Sequence, residues 1–139
     1  HQTSVKAINL ILPQLDRTQT IVADAQLLKQ VFINLISNAV KFSPNNSEVI
    51  LDYEKNEKVH IFSVKDSGDG ISQEELKTLF QPFVQGKSSQ NLSLKGSGLG
   101  LSLVKKIIEE IHKGKIWCES VLGEGSKFIL EIPSNIKKV

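Results

Sequence analysis

The chain contains no methionine, one cysteine, one tryptophan, one tyrosine and four prolines among its 139 residues. A single cysteine, Cys118, excludes an internal disulfide and any metal site built from cysteines alone. It lies in the run Lys115-Ile116-Trp117-Cys118-Glu119, where it reads as a small, partly buried residue rather than a reactive thiol. No apolar run approaches the roughly 18 residues of a membrane span, and no signal peptide is visible. Charge of one sign is also lacking, since the formal net charge is +2. All but one of the 17 basic residues are lysines, the exception being Arg17, and they are scattered. With no basic stripe and no patterned aromatic set, nothing points to a nucleic-acid partner. The missing methionine and the start at His1 suggest a segment of something longer.

What is present fits one folded domain. The length buries a single core, and a hydrophobic share of 40% is globular rather than disordered. Ile8 to Leu12 and Thr20 to Ala23 read as short strands, the first stopped by Pro13. Asp24 suits the N-cap of a helix from Ala25 to about Phe42, with Leu27, Leu28, Val31, Phe32, Leu35 and Ala39 at helical spacing. Ser43-Pro44-Asn45-Asn46 ends it. Glu48 to Glu54 and Lys58 to Lys65 read as a hairpin turning at Asn56-Glu57; Val49, Leu51 and Tyr53 share one face of the first strand, and Val59, Ile61 and Ser63 one face of the second. Ser72 caps a short helix with Glu74 and Glu75 in its first turn. Gln81 to Lys95 is a long polar loop of the kind that forms a lid or a binding segment. A helix from Leu99 to about His112 is closed by Lys113-Gly114. A last hairpin, Lys115 to Val121 and Ser126 to Ile132, turns around Gly123-Glu124-Gly125.

Three groups of residues carry chemistry. Asn34, Asn38 and Lys41 fall on one stripe of the first helix, at about 100° per residue, beside the apolar stripe. Asparagine is a poor helix former, so two at adjacent turns beside an amine need a reason, although the stripe by itself also fits a solvated face. An amide oxygen suits magnesium, and an ammonium suits phosphate. Asp66-Ser67-Gly68-Asp69-Gly70-Ile71 follows a strand; its glycines let backbone approach a flat ligand, and its first carboxylate can accept hydrogen bonds from an exocyclic amine. By itself it also fits an ordinary turn. Gly96-Ser97-Gly98-Leu99-Gly100-Leu101 opens a helix, where free N–H groups and the dipole favour an anion. A dinucleotide-binding turn would need a strand running into Gly96, which instead follows a polar loop, and an acidic residue some 20 positions on at the end of a second parallel strand, whereas Glu119 lies in an edge-like segment; a phosphate loop would need Gly-Lys-Ser/Thr after the glycines, and none follows them.

Taken in order, these pieces resemble the boxes of sensor histidine kinases. Asn34-Leu-Ile-Ser-Asn38-Ala-Val-Lys41-Phe42-Ser43 resembles the asparagine box. Asp66 to Ile71 is similar to the first glycine box, Leu79-Phe80-Gln81-Pro82-Phe83 to the phenylalanine box, and Gly96 to Leu101 to the second glycine box. His112-Lys-Gly114-Lys-Ile116 and Gly123-Glu-Gly125-Ser126-Lys-Phe128 are similar to the family's closing hairpin, so the resemblance covers about residues 20 to 133.

The resemblance implies the ATP-binding fold shared with DNA gyrase, Hsp90-type chaperones and MutL-type repair proteins. This Bergerat-type fold is a two-layer α/β sandwich (α+β), with a mixed, mostly antiparallel sheet packed on three helices. By position it implies that Asn38 holds Mg²⁺, that Asn34 supports the phosphates and that Lys41 contacts phosphate, with Asn34 and Lys41 the catalytic pair. It places Phe42 near the adenine, Asp66 on the adenine amine, and Gly68, Gly70 and Ile71 along the base pocket. Gly96, Gly98, Leu99, Gly100 and Leu101 would hold the phosphate tail under a lid of about Gln85 to Lys95, with Phe83 at its root. Many family members carry an arginine there; Gln85 cannot supply that charge, which leaves Lys87 or Lys95.

ATP hydrolases of the superfamily, and the related serine kinases that regulate sigma factors, carry glutamate at the Asn34 position. An amide takes no proton at neutral pH, so the implied activity is transfer of the γ-phosphoryl of ATP rather than hydrolysis. The expected acceptor is a histidine on a dimerisation/phosphoacceptor domain, followed by a response regulator, in two-component signalling. His1, His60 and His112 do not match the acceptor motif, so residues 1–139 are read as one catalytic domain, monomeric in isolation and cytoplasmic, without that acceptor domain. The other reading is a degenerate module acting through protein contacts alone.

Overall fold

The computed structural model describes residues 7–13, 23–82 and 100–134. Strand β1 (Ile8–Ile11) is followed by helix α1 (Ala25–Phe42), the hairpin β2 (Ser47–Lys55) and β3 (Val59–Asp66), and the short helix α2 (Gln73–Leu76). Helix α3 (Gly100–Lys105) runs on as a π-helical segment (Lys106–Ile111) into the hairpin β4 (Lys115–Val121) and β5 (Gly125–Pro133). The sheet order is β1-β2-β3-β5-β4. β1 pairs parallel with β2, and the other pairings are antiparallel. This is the expected mixed, mostly antiparallel sheet packed on helices. The expected strand at Thr20–Ala23 lies outside the described residues up to Val22, and Ala23 is a bend.

Capping fixes the helix starts as expected. The Asp24 side chain accepts the Leu27 N–H at 3.0 Å, and Ser72 and Glu75 form a reciprocal capping box on α2. At the far end of α1, the Ser43 hydroxyl donates to the Ala39 carbonyl at 2.6 Å. The Asn45 side chain accepts the Ala7 N–H at 2.7 Å, and the Asn46 N–H donates to the Ala7 carbonyl at 2.6 Å. The turn that ends α1 thus pins the start of β1 beside β2.

One face of the sheet closes on the helices. Val31, Leu35 and Ala39 of α1 meet Val49, Val64, Leu130 and Ile132 of the sheet, and Val104, Ile107 and Ile108 of the third helix. A fully buried aliphatic side chain of this kind contributes roughly 1.5–3 kcal/mol. On β3 the core face is His60, Phe62, Val64 and Asp66, with the Phe62 ring edge-on to Phe32 of α1 at 5.1 Å. Val59, Ile61 and Ser63 do share a face, but it is the one turned away from the helices. His60 enters the core because the Tyr53 hydroxyl bonds its Nδ1 at 2.7 Å, with the rings stacked at 5.8 Å. Burial, with Lys55 adding to it, lowers the His60 pKa.

The third helix departs from the uniform α-helix expected to His112. Its second half widens, and the His112 N–H reaches the Ile107 carbonyl at 3.1 Å. The imidazole adds to this closure: Nδ1 bonds the same carbonyl at 2.9 Å, and Nε2 accepts the Asp24 N–H at 2.9 Å. That pair of bonds assigns the Nδ1–H tautomer and ties the end of this helix to the start of α1. The left-handed residue after the helix is Lys113 (φ 60), one position before the glycine. No described helix is long and apolar enough to cross a membrane.

Candidate ATP site

Helix α1 carries Asn34, Asn38, Lys41 and Phe42 on the flank beside its buried stripe. From Asn34 to Phe42 the helix rises about 12 Å. Each end of that stretch meets a glycine. At one end, a Cβ built on Gly100, the first residue of α3, would stand 2.6 Å from Asn34 Oδ1. At the other, a Cβ on Gly68 would land on the Phe42 carbonyl oxygen. The fold therefore stretches the asparagine stripe between the start of α3 and the loop after β3.

Asp66 ends β3 on the core face and is 6% exposed. Its Oδ1 accepts the Gly68 N–H at 2.8 Å. Burial raises the Asp66 pKa, while the backbone N–H groups of Gly68 and Ser126 oppose the shift. A buried carboxylate held by backbone donors alone retains accepting capacity for a ligand amine. Beyond it, Gly70 has φ +80, and a side chain there would strike the Val121 carbonyl. Ile71 is partly buried and packs against the core. Replacing Gly68 by alanine is expected to cost about 1–3 kcal/mol, because the methyl meets backbone that cannot rotate away; chemical denaturation of the variant measures it.

The structure thus brings together Asn34, Asn38, Lys41, Phe42, Asp66, Gly68, Gly70, Ile71, Gly100 and Leu101. Phe42 is half-exposed, and Leu101 packs partly into the core, which anchors the first turn of α3. Phe83, Lys87, Lys95, Gly96, Gly98, Leu99 and the Gln85–Lys95 loop lie outside the described residues. Of the phenylalanine box, Phe80 stands edge-on to Phe128 at 6.2 Å, with the Lys105 ammonium 5.9 Å from its centroid. Lys105 also pairs with Glu109 at 2.8 Å.

Two residues behind the Asp66–Ile71 loop were not singled out as site residues in the sequence, Ser126, the register partner of Asp66, and Ser120, which bonds Ile71. The inward register of Ile116 and Cys118 along β4 carried the signal for Ser120, since the next inward position is 120. Cys118 itself packs against the core, and burial pushes its thiol up to about 12, which leaves it unreactive at neutral pH.

The donor set fits a nucleotide: a buried carboxylate and close backbone at one end, the Asn34 amide and a helix start at the other, and the Asn38 amide and Lys41 ammonium along the helix between them. For magnesium, the described residues hold no cluster of three or more histidine, cysteine or acidic side chains. An amide oxygen such as that of Asn38 is a hard ligand, and it fits an ion that shares its coordination with phosphate oxygens and water.

Comparison with known proteins agrees with this geometry. Residues 23–136 match the HATPase_c family, described as histidine kinase-, DNA gyrase B- and HSP90-like ATPase. The circadian input-output histidine kinase CikA of Synechococcus elongatus is 42% identical over 118 residues, covering 85% of this chain and 16% of that protein. The adaptive-response sensory kinase SasA of Crocosphaera subtropica is 37% identical, covering 92% of this chain and 33% of that protein. The chain therefore spans a third or less of either relative. Among solved structures, the nucleotide-free catalytic domain of histidine kinase ThkA superposes with a TM-score of 0.78 at 35% identity, covering 91% of this chain and 80% of that one. ThkA in complex with the response regulator TrrA gives a TM-score of 0.73 at 33% identity, covering 92% of this chain and 34% of that one. On the sheet, the asparagine helix, the buried Asp66 and these matches, the chain belongs to the histidine kinase-, gyrase- and HSP90-like ATPase family, as the catalytic ATP-binding domain of a sensor histidine kinase.

Proposed function

We propose that this domain binds Mg·ATP and transfers its γ-phosphoryl group to a histidine on a separate phosphoacceptor domain, from which a response regulator is charged in two-component signalling. The observation that carries the reading is the stretch of α1 running from the base loop at Gly68 to the start of α3 at Gly100. In this reading the groups at its two ends take different parts of the ligand, Asp66 beside Gly68 the base and Asn34 beside Gly100 the phosphates. In this reading Asp66 accepts the adenine amine, and Gly68, Gly70, Ile71 and Phe42 shape the base pocket. Asn34 and Lys41 hold phosphate oxygens, and Asn38 holds Mg²⁺, which neutralises phosphate charge when bound. The start of α3 presents N–H groups to the phosphate tail, and Lys87 or Lys95 supplies a further cation.

Phosphoryl transfer asks mainly for alignment and charge neutralisation, which this donor set provides. Hydrolysis asks in addition for a base on the attacking water, and Asn34 stands where the hydrolases of the superfamily have glutamate. The described histidines do not compete as acceptors, since His60 is buried against Tyr53 and His112 bonds through both ring nitrogens. The whole of residues 1–139 acts in this reading as one cytoplasmic catalytic unit, monomeric by itself, that meets its acceptor through another domain.

The test mixes the chain with γ-labelled ATP and a histidine-bearing helical-hairpin domain. Acid-labile, base-stable label on the hairpin histidine is the expected result, with little free phosphate. Fast release of phosphate without label on the hairpin would replace this reading by an ATPase, and no nucleotide binding at all would leave a module acting through protein contacts.

A further inference from the structure

The β4–β5 hairpin lies directly behind the Asp66–Ile71 loop and is fastened to it. The Gly123 N–H donates to the Asp69 carbonyl at 2.7 Å, and Gly70 sits so close to the Val121 carbonyl that no side chain fits between them. The third fastening is made by a side chain. Ser120 Oγ accepts the Ile71 N–H at 2.7 Å and donates to the Gly125 carbonyl at 2.8 Å. It also stands 3.1 Å from the Ser126 hydroxyl. A serine hydroxyl has one hydrogen and two lone pairs. Its hydrogen goes to Gly125, so Ser126 is the donor in the hydroxyl pair, and every bonding position of Ser120 is used. Ser126 is in turn the register partner of Asp66, and its backbone is one of the two that bond the Asp66 carboxylate.

The geometry points to Ser120 as a positioning residue of the nucleotide site, holding the Ile71 end of the base loop and the Ser126 side of the Asp66 carboxylate in one arrangement. The inference rests on the ATP reading above and deepens it: Ser120 governs recognition of the base and leaves the phosphate end unaffected. The reason is placement. Its three partners all belong to the base loop or the hairpin behind it, whereas the phosphate groups sit on α1 and at the start of α3. Without the hydroxyl, the Ile71 N–H and the Gly125 carbonyl lose their partner in a half-buried position, and the loop is free to move away from the base.

The experiment measures ATP affinity by titration, and inorganic tripolyphosphate affinity by displacement of a fluorescent ATP analogue, in the unaltered chain, Ser120→Ala and Ser120→Thr. In Ser120→Ala, ATP should bind about five- to tenfold more weakly with tripolyphosphate unchanged, and Ser120→Thr, which keeps the hydroxyl, should restore most of the loss. Should Ser120→Ala not fold, Ser120→Cys carries the same comparison, because a thiol fills the space with a weak hydrogen-bonding group. Equal weakening of both ligands would mean that Ser120 merely supports the fold, and unchanged ATP affinity would mean that the loop holds itself; either overturns the inference alone. No ATP binding by the unaltered chain would overturn the ATP reading and this inference with it.

Discussion

Replacing Asp66 by asparagine is expected to weaken ATP binding roughly 100-fold while leaving the nucleotide-free domain at least as stable. A hydrogen bond to a charged group is worth about 1.5–3 kcal/mol, and one tenfold change is about 1.4 kcal/mol. Loss of the charge accounts for most of the drop. The amide adds to it, because one of its two sides is now a donor facing either the base amine or the Gly68 N–H. Stability moves the other way. Burial holds the Asp66 pKa above its ordinary value in the folded domain, so the folded state keeps this proton to higher pH than the unfolded chain does. Stability from this group is present at low pH and is lost as pH rises from the ordinary carboxylate value through the raised one. At neutral pH the ionised Asp66 therefore weighs against folding, and asparagine removes that cost. Thermal melts should place Asp66→Asn at or above the unaltered domain at pH 7, with the gap closing on acidification. ATP affinity of the unaltered domain should also fall as acid protonates Asp66. An asparagine variant that binds ATP as well as its parent would remove Asp66 from base recognition.

Replacing Asn38 by alanine is expected to slow phosphoryl transfer on the order of 10²–10³-fold, the usual effect of deleting one group that stabilises charge in a transition state. Alanine is the better helix former, so α1 should be no weaker and a loss of activity should not reflect unfolding. The variant should bind ADP in the presence of a chelator as the parent does, since the role proposed for Asn38 is exercised through Mg²⁺ and not on the base. What it should lose is the gain in ATP affinity that added Mg²⁺ brings to the parent, and titrations with and without the metal read this directly. Transfer at the parental rate would assign the metal to another residue.

These two residues were legible in the sequence for different reasons. Asn38 belongs to a helical stripe, and a helix fixes the relation of residues three and four apart without help from the rest of the fold. Asp66 is legible through its glycines, whose spacing marks backbone that must approach something closely. The structure then gave both glycines a specific reason: Gly68 faces the Phe42 carbonyl and Gly70 faces that of Val121. Strand positions were harder to read. Alternation puts Val59, Ile61 and Ser63 on one face of β3 without saying which face is buried, and the sheet turns the other, His60, Phe62, Val64 and Asp66, to the helices. A histidine and an aspartate do not advertise a core face; here His60 is accommodated by Tyr53 on the neighbouring strand and Asp66 by backbone donors.

The sequence by itself determined the family, the order of the boxes, the caps of α1 and α2, and the candidate site residues of α1 and of the Asp66–Ile71 loop. All of these depend on spacings within a helix or a turn, which local geometry sets. Only the tertiary structure decided which face of β3 is buried, that β1 runs parallel to β2, and that the third helix widens and ends on a histidine shared with Asp24. It alone set the β4–β5 hairpin behind the base loop, with Ser120 bonded across 49 positions to Ile71. Such pairings join segments far apart in the chain, and their register is chosen by the packing of the whole core.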